Sequence, residues 1–236
     1  MGKVKAIFFD LDDTLYSYKA SNSKIMAEIK AIEYFCKKHP KFKLSDMFEV
    51  FTSVKQGIKK RFPDLPVRCD RGYWIVEFLR AEHNFDKKLA NEILNEFWKV
   101  SCQNIQGYYD AKIILQYLKK KGYKLGVITN GIKKWQLKRI EATGFKKYFD
   151  IIATTSEVGY EKPHKEIFEF ALKQAKVKPF EAVMIGDNPV RDIAPANKLG
   201  MTTVWLRRGK RYYLPIKAKE KADYTIKNFL ELYKFF

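Results

Sequence analysis

Val4-Lys5-Ala6-Ile7-Phe8-Phe9 runs directly into Asp10-Leu11-Asp12-Asp13-Thr14. The apolar run has strand length and no alternation, which marks a strand covered on both faces, as in a parallel sheet. It stops abruptly in acids, and the carboxyl ends of strands are where open α/β sheets place their chemistry. The pattern returns from Gly107 onward. Tyr123–Thr129 (YKLGVIT), Phe149–Ala153, Ala182–Ile185 (AVMI), Thr202–Leu206 and Tyr224–Ile226 read as strands. Helices are expected over Asp110–Lys121, Lys133–Thr143, Pro163–Ala175, Val190–Leu199 and Asn228–Tyr233, with Gly122, Gly144 and Gly200 as stops. Strand and helix alternating at this spacing predict an α/β fold, a Rossmann-like parallel sheet with helices on both faces.

Between these parts the character changes. Residues 16–106 show helical periodicity and no strand. Ser21 or Asn22 is the expected cap of a helix with Ile25, Ile29, Ile32 and Cys36 on one face. Ser45 would cap a second helix carrying Leu44, Met47, Phe48, Phe51, Val54 and Ile58. A third spans about Asp70–His83, and Asp86 would cap a fourth with Leu89, Ile93 and Phe97. The expected organisation is therefore a core of residues 1–15 and 107–236 with an inserted helical domain of residues 16–106.

Composition narrows the class. The chain has 236 residues, 46% hydrophobic and 15% aromatic, enough apolar material for a sizeable core, so disorder is excluded as a global description. No apolar run approaches the ~20 residues that span a bilayer. Three scattered cysteines, Cys36, Cys69 and Cys102, form no metal-ligand pair, and no signal-peptide layout is visible. A reduced, cytoplasmic protein is the expectation. The formal charge of +19 raises nucleic-acid binding as an alternative of a different class. Its basic residues are spread along the chain, with Arg207-Arg208 and Lys210-Arg211 the densest group, and no arginine-rich tail or binding module accompanies them.

Four strand ends carry polar groups. Asp10 and Asp12 can divide work between nucleophile and proton shuttle, and neighbouring carboxylates call for a cation such as Mg²⁺. Thr129-Asn130-Gly131 offers a hydroxyl and backbone N–H groups to an anion. Lys162, before Pro163, can neutralise a phosphoryl group. Gly186-Asp187-Asn188-Pro189-Val190-Arg191-Asp192 supplies Asp187 as a further oxygen ligand and Asp192 as a residue behind the ligands. Each has a plain alternative, respectively an acidic capping turn, a capped turn, a surface lysine and a Gly-Asp turn. Their succession at strand ends gives the set its weight.

With these motifs the chain resembles the haloacid dehalogenase superfamily, subfamily I with a helical first-type cap. Phe8–Leu15 (FFDLDDTL) resembles its first motif, Ile128–Gly131 its second, Lys162-Pro163 its third and Gly186-Asp187 with Asp192 its fourth. Asp13 departs from the glycine usual there, a variant familiar in one branch. The resemblance implies Asp10 as the nucleophile that forms an aspartyl-phosphate, with Asp12 as acid and then base. Thr129, the Asn130 backbone and Lys162 would bind the phosphoryl group. Mg²⁺ would rest on Asp10, Asp187 and the main-chain carbonyl of Asp12, with Asp192 beside them. It also implies a phosphatase of a small metabolite, since archaeal members that look similar act on such substrates, glyceraldehyde 3-phosphate among them.

True dehalogenases of the superfamily need neither an acid nor Mg²⁺, so Asp12, Asp187 and Asp192 favour phosphate-ester hydrolysis. A nucleoside monophosphate phosphatase and a phosphomutase remain alternatives on the same core, and a non-catalytic interaction module is the alternative outside catalysis. Tyr16, Ser17, Tyr18, Arg68 and Arg71 are the candidate leaving-group contacts in the cap region.

Overall fold

The first strand, β1 (Ala6–Phe9), is buried along its whole length. The computed structural model describes residues 4–17, 23–63, 65–103, 105–208 and 221–236. Strands β2 (Lys124–Thr129), β3 (Ile151–Thr154), β4 (Ala182–Gly186), β5 (Thr202–Leu206) and β6 (Tyr224–Ile226) complete a sheet of order β3-β2-β1-β4-β5-β6. Every pairing is parallel. Ala6 lies opposite Lys124 and Ala182, and Phe9 lies opposite Val127 and Ile185. β1 is thus central, and the strand order reverses between β1 and β4, the place where doubly wound sheets open a binding crevice at their carboxyl ends.

Both faces of β1 are covered. On one, Ala6 and Phe8 join Ile128, Ala182 and Met184 against Ile167, Phe168, Ala171 and Leu172 of a helix, Lys165–Ala175. On the other, the Phe9 ring meets Phe149 and Phe229 edge-on at 6.2 and 5.9 Å. Burying a side chain of this size stabilises the fold by roughly 1.5–3 kcal/mol, so a short strand is firmly held.

The chain divides into two compact units. One comprises the residues through Ser17 together with Gln106–Phe236, and the other the intervening segment through Ile105. Tyr16 belongs to the sheet unit, bridged to Asp12 and Gly107. Among the described residues the second unit holds four α-helices, α1 (Ser23–Lys38), α2 (Leu44–Arg61), α3 (Arg71–Ala81) and α4 (Lys87–Gln103). Its centre is aromatic. Phe78 stands edge-on to Phe35 at 5.1 Å and to Phe51 at 5.8 Å, and Phe51 meets Trp74 at 6.5 Å.

Several local expectations change. In α1 the buried stripe is Ala27, Glu28, Ala31, Ile32 and Phe35, while Ile25 is 58% exposed. α1 packs chiefly on α4, and small alanines allow that approach better than the isoleucine stripe would. The expected caps Ser21 and Asn22 lie outside the described residues. Ser45 lies inside α2, behind Lys43 at the cap position, and its hydroxyl turns to Asp46. Asp70 and Asp86 do cap, accepting from Gly72 N at 2.8 Å and Leu89 N at 2.7 Å.

In the sheet unit, helix α5 is Tyr109–Lys120 and α6 is Lys133–Ala142. A one-turn helix after β3, α7 (Thr155–Val158), had no periodic signal. The helix expected from Pro163 begins at Lys165 (α8, Lys165–Ala175), because His164 before it is still extended. The helix expected over Val190–Leu199 opens with a π-helical turn, Pro189–Ile193, before α9 (Ala194–Leu199). The last helix is 3₁₀, Phe229–Lys234.

Candidate active site at the carboxyl end of the sheet

β1 delivers Asp10 to the rim of the sheet, its N–H still bonded to the Ile185 carbonyl at 2.9 Å. The residue is only 7% exposed. Thr14 Oγ1 donates to its Oδ2 at 3.0 Å and Lys162 Nζ to its Oδ1 at 2.5 Å. Lys162 also donates to Asp192 Oδ1 at 2.7 Å and to the Ile128 carbonyl at 2.8 Å. An ammonium has three protons, so these three acceptors use its full capacity. The Asn130 side chain fixes the lysine's backbone from the end of β2, accepting from Lys162 N at 2.7 Å and donating to Lys162 O at 3.2 Å.

The segment after β4 is shaped around Asp192. Asn188 caps the π-helical turn by accepting from Val190 N and Arg191 N at 3.0 and 3.1 Å. Asp192 Oδ2 accepts from Asn188 N at 3.0 Å. A Cβ on Gly186 would fall 2.4 Å from that oxygen, so glycine is what admits the carboxylate. Asp187 comes off the end of β4, its carbonyl held by Trp205 Nε1 at 3.0 Å.

Carboxylate oxygens of Asp10, Asp187 and Asp192 lie within 4.8 Å of one another, all three residues buried. Burial raises Asp187 to about 8, with the charges of Asp10 and Asp192 adding to it. Burial also raises Asp10 to about 6, against the opposing pull of Lys162. Burial alone would lower Lys162, yet Asp10 and Asp192 overcome it and hold the ammonium above its ordinary range. Three hard oxygen donors carrying this much uncompensated charge suit a divalent cation such as Mg²⁺ or Ca²⁺. Such an ion would reverse the upward pressure on the acids.

Asp12 is placed apart from that cluster. Its carboxylate accepts from the buried Arg139, whose Nη1 stands 3.3 Å from Oδ1 and 3.1 Å from Oδ2, and from the Tyr16 hydroxyl. Thr129 is buried, and its hydroxyl accepts from Gln136 Nε2 at 2.6 Å. The Gln136 amide is oriented from both ends, since Oε1 accepts from Arg139 at 3.1 Å and Nε2 also reaches the Asn130 carbonyl at 2.8 Å. A hydroxyl that accepts from Gln136 retains its own proton for an anion.

Gln136 and Arg139 escaped the sequence reading. The available signal was their place on α6, where Trp135, Gln136, Arg139 and Ile140 are the buried residues, so two polar side chains share the apolar face. Among the candidate leaving-group contacts, Tyr16 is fully buried and engaged with Asp12. Arg68 donates to the Pro63 carbonyl, Arg71 lies 4.8 Å over the Trp74 ring, and Tyr18 is outside the described residues.

Known proteins resemble this chain along most of its length. Residues 4–200 match the model of the haloacid dehalogenase-like hydrolase family. A glyceraldehyde 3-phosphate phosphatase of Pyrococcus furiosus is 35% identical over 230 residues, covering 96% of this chain and 90% of that protein. A crystal structure of a HAD phosphatase from Thermococcus onnurineus is 29% identical with a TM-score of 0.69, covering 98% and 97% of the two chains. A 2-haloacid dehalogenase from Pseudomonas syringae pv. Tomato DC3000 is 26% identical with a TM-score of 0.77 over the same shares. The chain belongs to the haloacid dehalogenase-like hydrolase family, and within it is a phosphoric monoester hydrolase.

Proposed function

We propose that the protein is a Mg²⁺-dependent phosphatase of a small phosphorylated metabolite, a triose or sugar phosphate such as glyceraldehyde 3-phosphate, acting through an aspartyl-phosphate on Asp10. The observation that carries this reading is the Asp10 carboxylate, bound to Lys162 and sharing one buried cluster with Asp187 and Asp192 at the strand-order reversal. The likeness to the Pyrococcus phosphatase supports the substrate class. Fold likeness alone does not separate this chemistry from dehalogenation, but the site's residues do. A halide leaves as a stable anion and needs no proton, whereas an alkoxide needs the one that Asp12 can give.

In this reading Asp10 attacks the phosphorus while Asp12 transfers its proton to the departing ester oxygen. That yields the alcohol and an acyl phosphate on Asp10. Asp12, now a carboxylate, takes a proton from water, and the resulting hydroxide equivalent displaces phosphate from Asp10. Thr129 and the Asn130 N–H hold the phosphoryl oxygens, while Lys162, its three protons already engaged, adds positive charge beside them and remains protonated throughout. Asp10, Asp187 and the Asp12 carbonyl, with Asp192 behind them, would hold Mg²⁺, which when bound would supply positive charge to the transferring oxygens. The helical unit serves as the cap that selects the leaving group. The thiols of Cys36 and Cys102 support a reducing, cytoplasmic setting. Among the described residues no helix is long and apolar enough to cross a membrane.

The test is phosphate release from a panel of triose phosphates, sugar phosphates and nucleoside monophosphates, with Mg²⁺ or with EDTA. Metal-dependent release is expected with the wild type, and Asp10→Asn is expected to lose it by about 10⁴-fold or more while keeping its fold. Retention on heparin or DNA at physiological salt, with no hydrolysis of any ester, would replace the phosphatase reading with a binding one. An isomeric phosphate in place of free phosphate would make it a mutase.

A further inference from the structure

One chain of hydrogen bonds outside the motif residues connects the two halves of the site. It runs from the Thr129 hydroxyl through the Gln136 amide to Arg139, and from Arg139 to the Asp12 carboxylate. The Tyr16 hydroxyl also donates to Asp12, at Oδ1. Arg139 is 4% exposed and Gln136 2%, both on one face of α6. A buried guanidinium is costly unless its partners repay it, so helix stability alone is a poor reason for an arginine here. Its position is also specific: one nitrogen, Nη1, reaches both oxygens of Asp12 and the Gln136 carbonyl together.

We propose that Arg139 and Tyr16 are positioning residues for Asp12, holding its carboxyl group in line with the leaving oxygen, and that Gln136 ties this setting to the Thr129 phosphoryl contact. The proposal rests on the phosphatase reading and deepens it. Asp12 is held by two side chains from different segments, Tyr16 following the first motif and Arg139 on the helix after the second, so its carboxyl has little rotational freedom. Proton transfer depends steeply on such placement, because a misplaced donor still binds substrate but delivers its proton late. The effect must therefore scale with how much the leaving group needs a proton. An alkoxide needs it as the P–O bond breaks, whereas 4-nitrophenolate leaves as a stable anion.

The experiment compares wild type, Arg139→Met, Arg139→Lys and Tyr16→Phe on two esters with Mg²⁺: the best alkyl phosphate of the panel and 4-nitrophenyl phosphate. Arg139→Met is expected to lower kcat on the alkyl ester by about 10²-fold and on the aryl ester by less than about fivefold, with KM little changed. Arg139→Lys should restore part of the alkyl activity. Equal losses on both esters, or a change in KM alone, would overturn the proposal and leave Arg139 a packing residue. If Arg139→Met does not fold, Tyr16→Phe decides, since it keeps the ring. The same alkyl-selective loss supports positioning, and equal or absent loss overturns it. A wild type inactive on both esters would instead overturn the phosphatase reading itself.

Discussion

Each unit of the molecule sets a lysine against a buried carboxylate, and the two pairs are built differently. In the helical unit, Lys55 of α2 meets Glu28 of α1 at 2.7 Å, and the lysine lies beside the rings of Phe51 and Trp74 at 5.7 and 6.0 Å. In the sheet unit, Lys162 serves two carboxylates and a carbonyl, and a third acid, Asp187, stands close by. The first pair is balanced, one charge against one, and seals two helices. The second is deliberately unbalanced, with three acids around a single ammonium. Uncompensated buried negative charge costs stability, and such a site is one that a divalent cation would complete.

Removing each lysine tests that contrast. Lys162→Met strips the ammonium from Asp10 and Asp192, and turnover is expected to fall by about 10³-fold or more, even where added Mg²⁺ keeps the protein folded. Lys55→Met leaves Glu28 buried without its cation. That should cost about 3 kcal/mol of stability while kcat per folded molecule on 4-nitrophenyl phosphate stays within about threefold. Chemical denaturation and initial rates, run on both variants, check this. A Lys55 variant that is fully stable but inactive would erase the distinction.

The same contrast explains what could be read in advance. β1 and β4 are continuous apolar runs, so their burial and parallel pairing followed from composition and spacing, and Asp10, Thr129 and Asp187 were visible as polar residues at strand ends. Asp192 was legible as an acid near Asp187, but its carboxylate contact with the space over Gly186 was not, because a π-helical turn leaves no periodic trace. Arg139 and Gln136 were hidden for another reason. A helix rich in lysine looks like a solvated surface, and only the fold shows which of its polar residues turn inward. In the helical unit Ala27 and Ala31 outweighed Ile25 because helix–helix distance, which local sequence does not encode, decides which side chains fit.

An unbalanced site should also betray itself through pH when no metal is present. Asp10 and Asp187 titrate near 6 and 8 in the folded protein, above the ordinary 3.8. Between pH 4 and 8 the folded state therefore binds more protons than the unfolded one, and stability falls as pH rises through that window. Asp187→Asn removes the steepest part and relieves Asp10. In EDTA at pH 8 it should melt several degrees above wild type, where about 1 kcal/mol corresponds to about 2–4 °C in a chain of this size. The advantage should shrink toward pH 5, and Mg²⁺ should raise the wild type alone. Parallel melting curves across the pH range would show that the acids carry no such strain.

The smallest expected effect sits just after the two working acids. Asp13 has φ +63°, in the left-handed region that glycine enters freely and that other residues enter at a cost of about 1–2 kcal/mol, aspartate more easily than most. The glycine usual at this point in the family thus has a backbone reason, and the aspartate here is a tolerated substitute. Asp13→Gly and Asp13→Ala both delete the side chain, so the difference between them isolates the backbone. Alanine is expected to melt about 2–4 °C below glycine, with metal absent from both samples. Alanine as stable as glycine would mean that the turn relaxes to negative φ without loss. The placement of the Asp12 carboxylate would then rest on Arg139 and Tyr16 rather than on the turn that follows it.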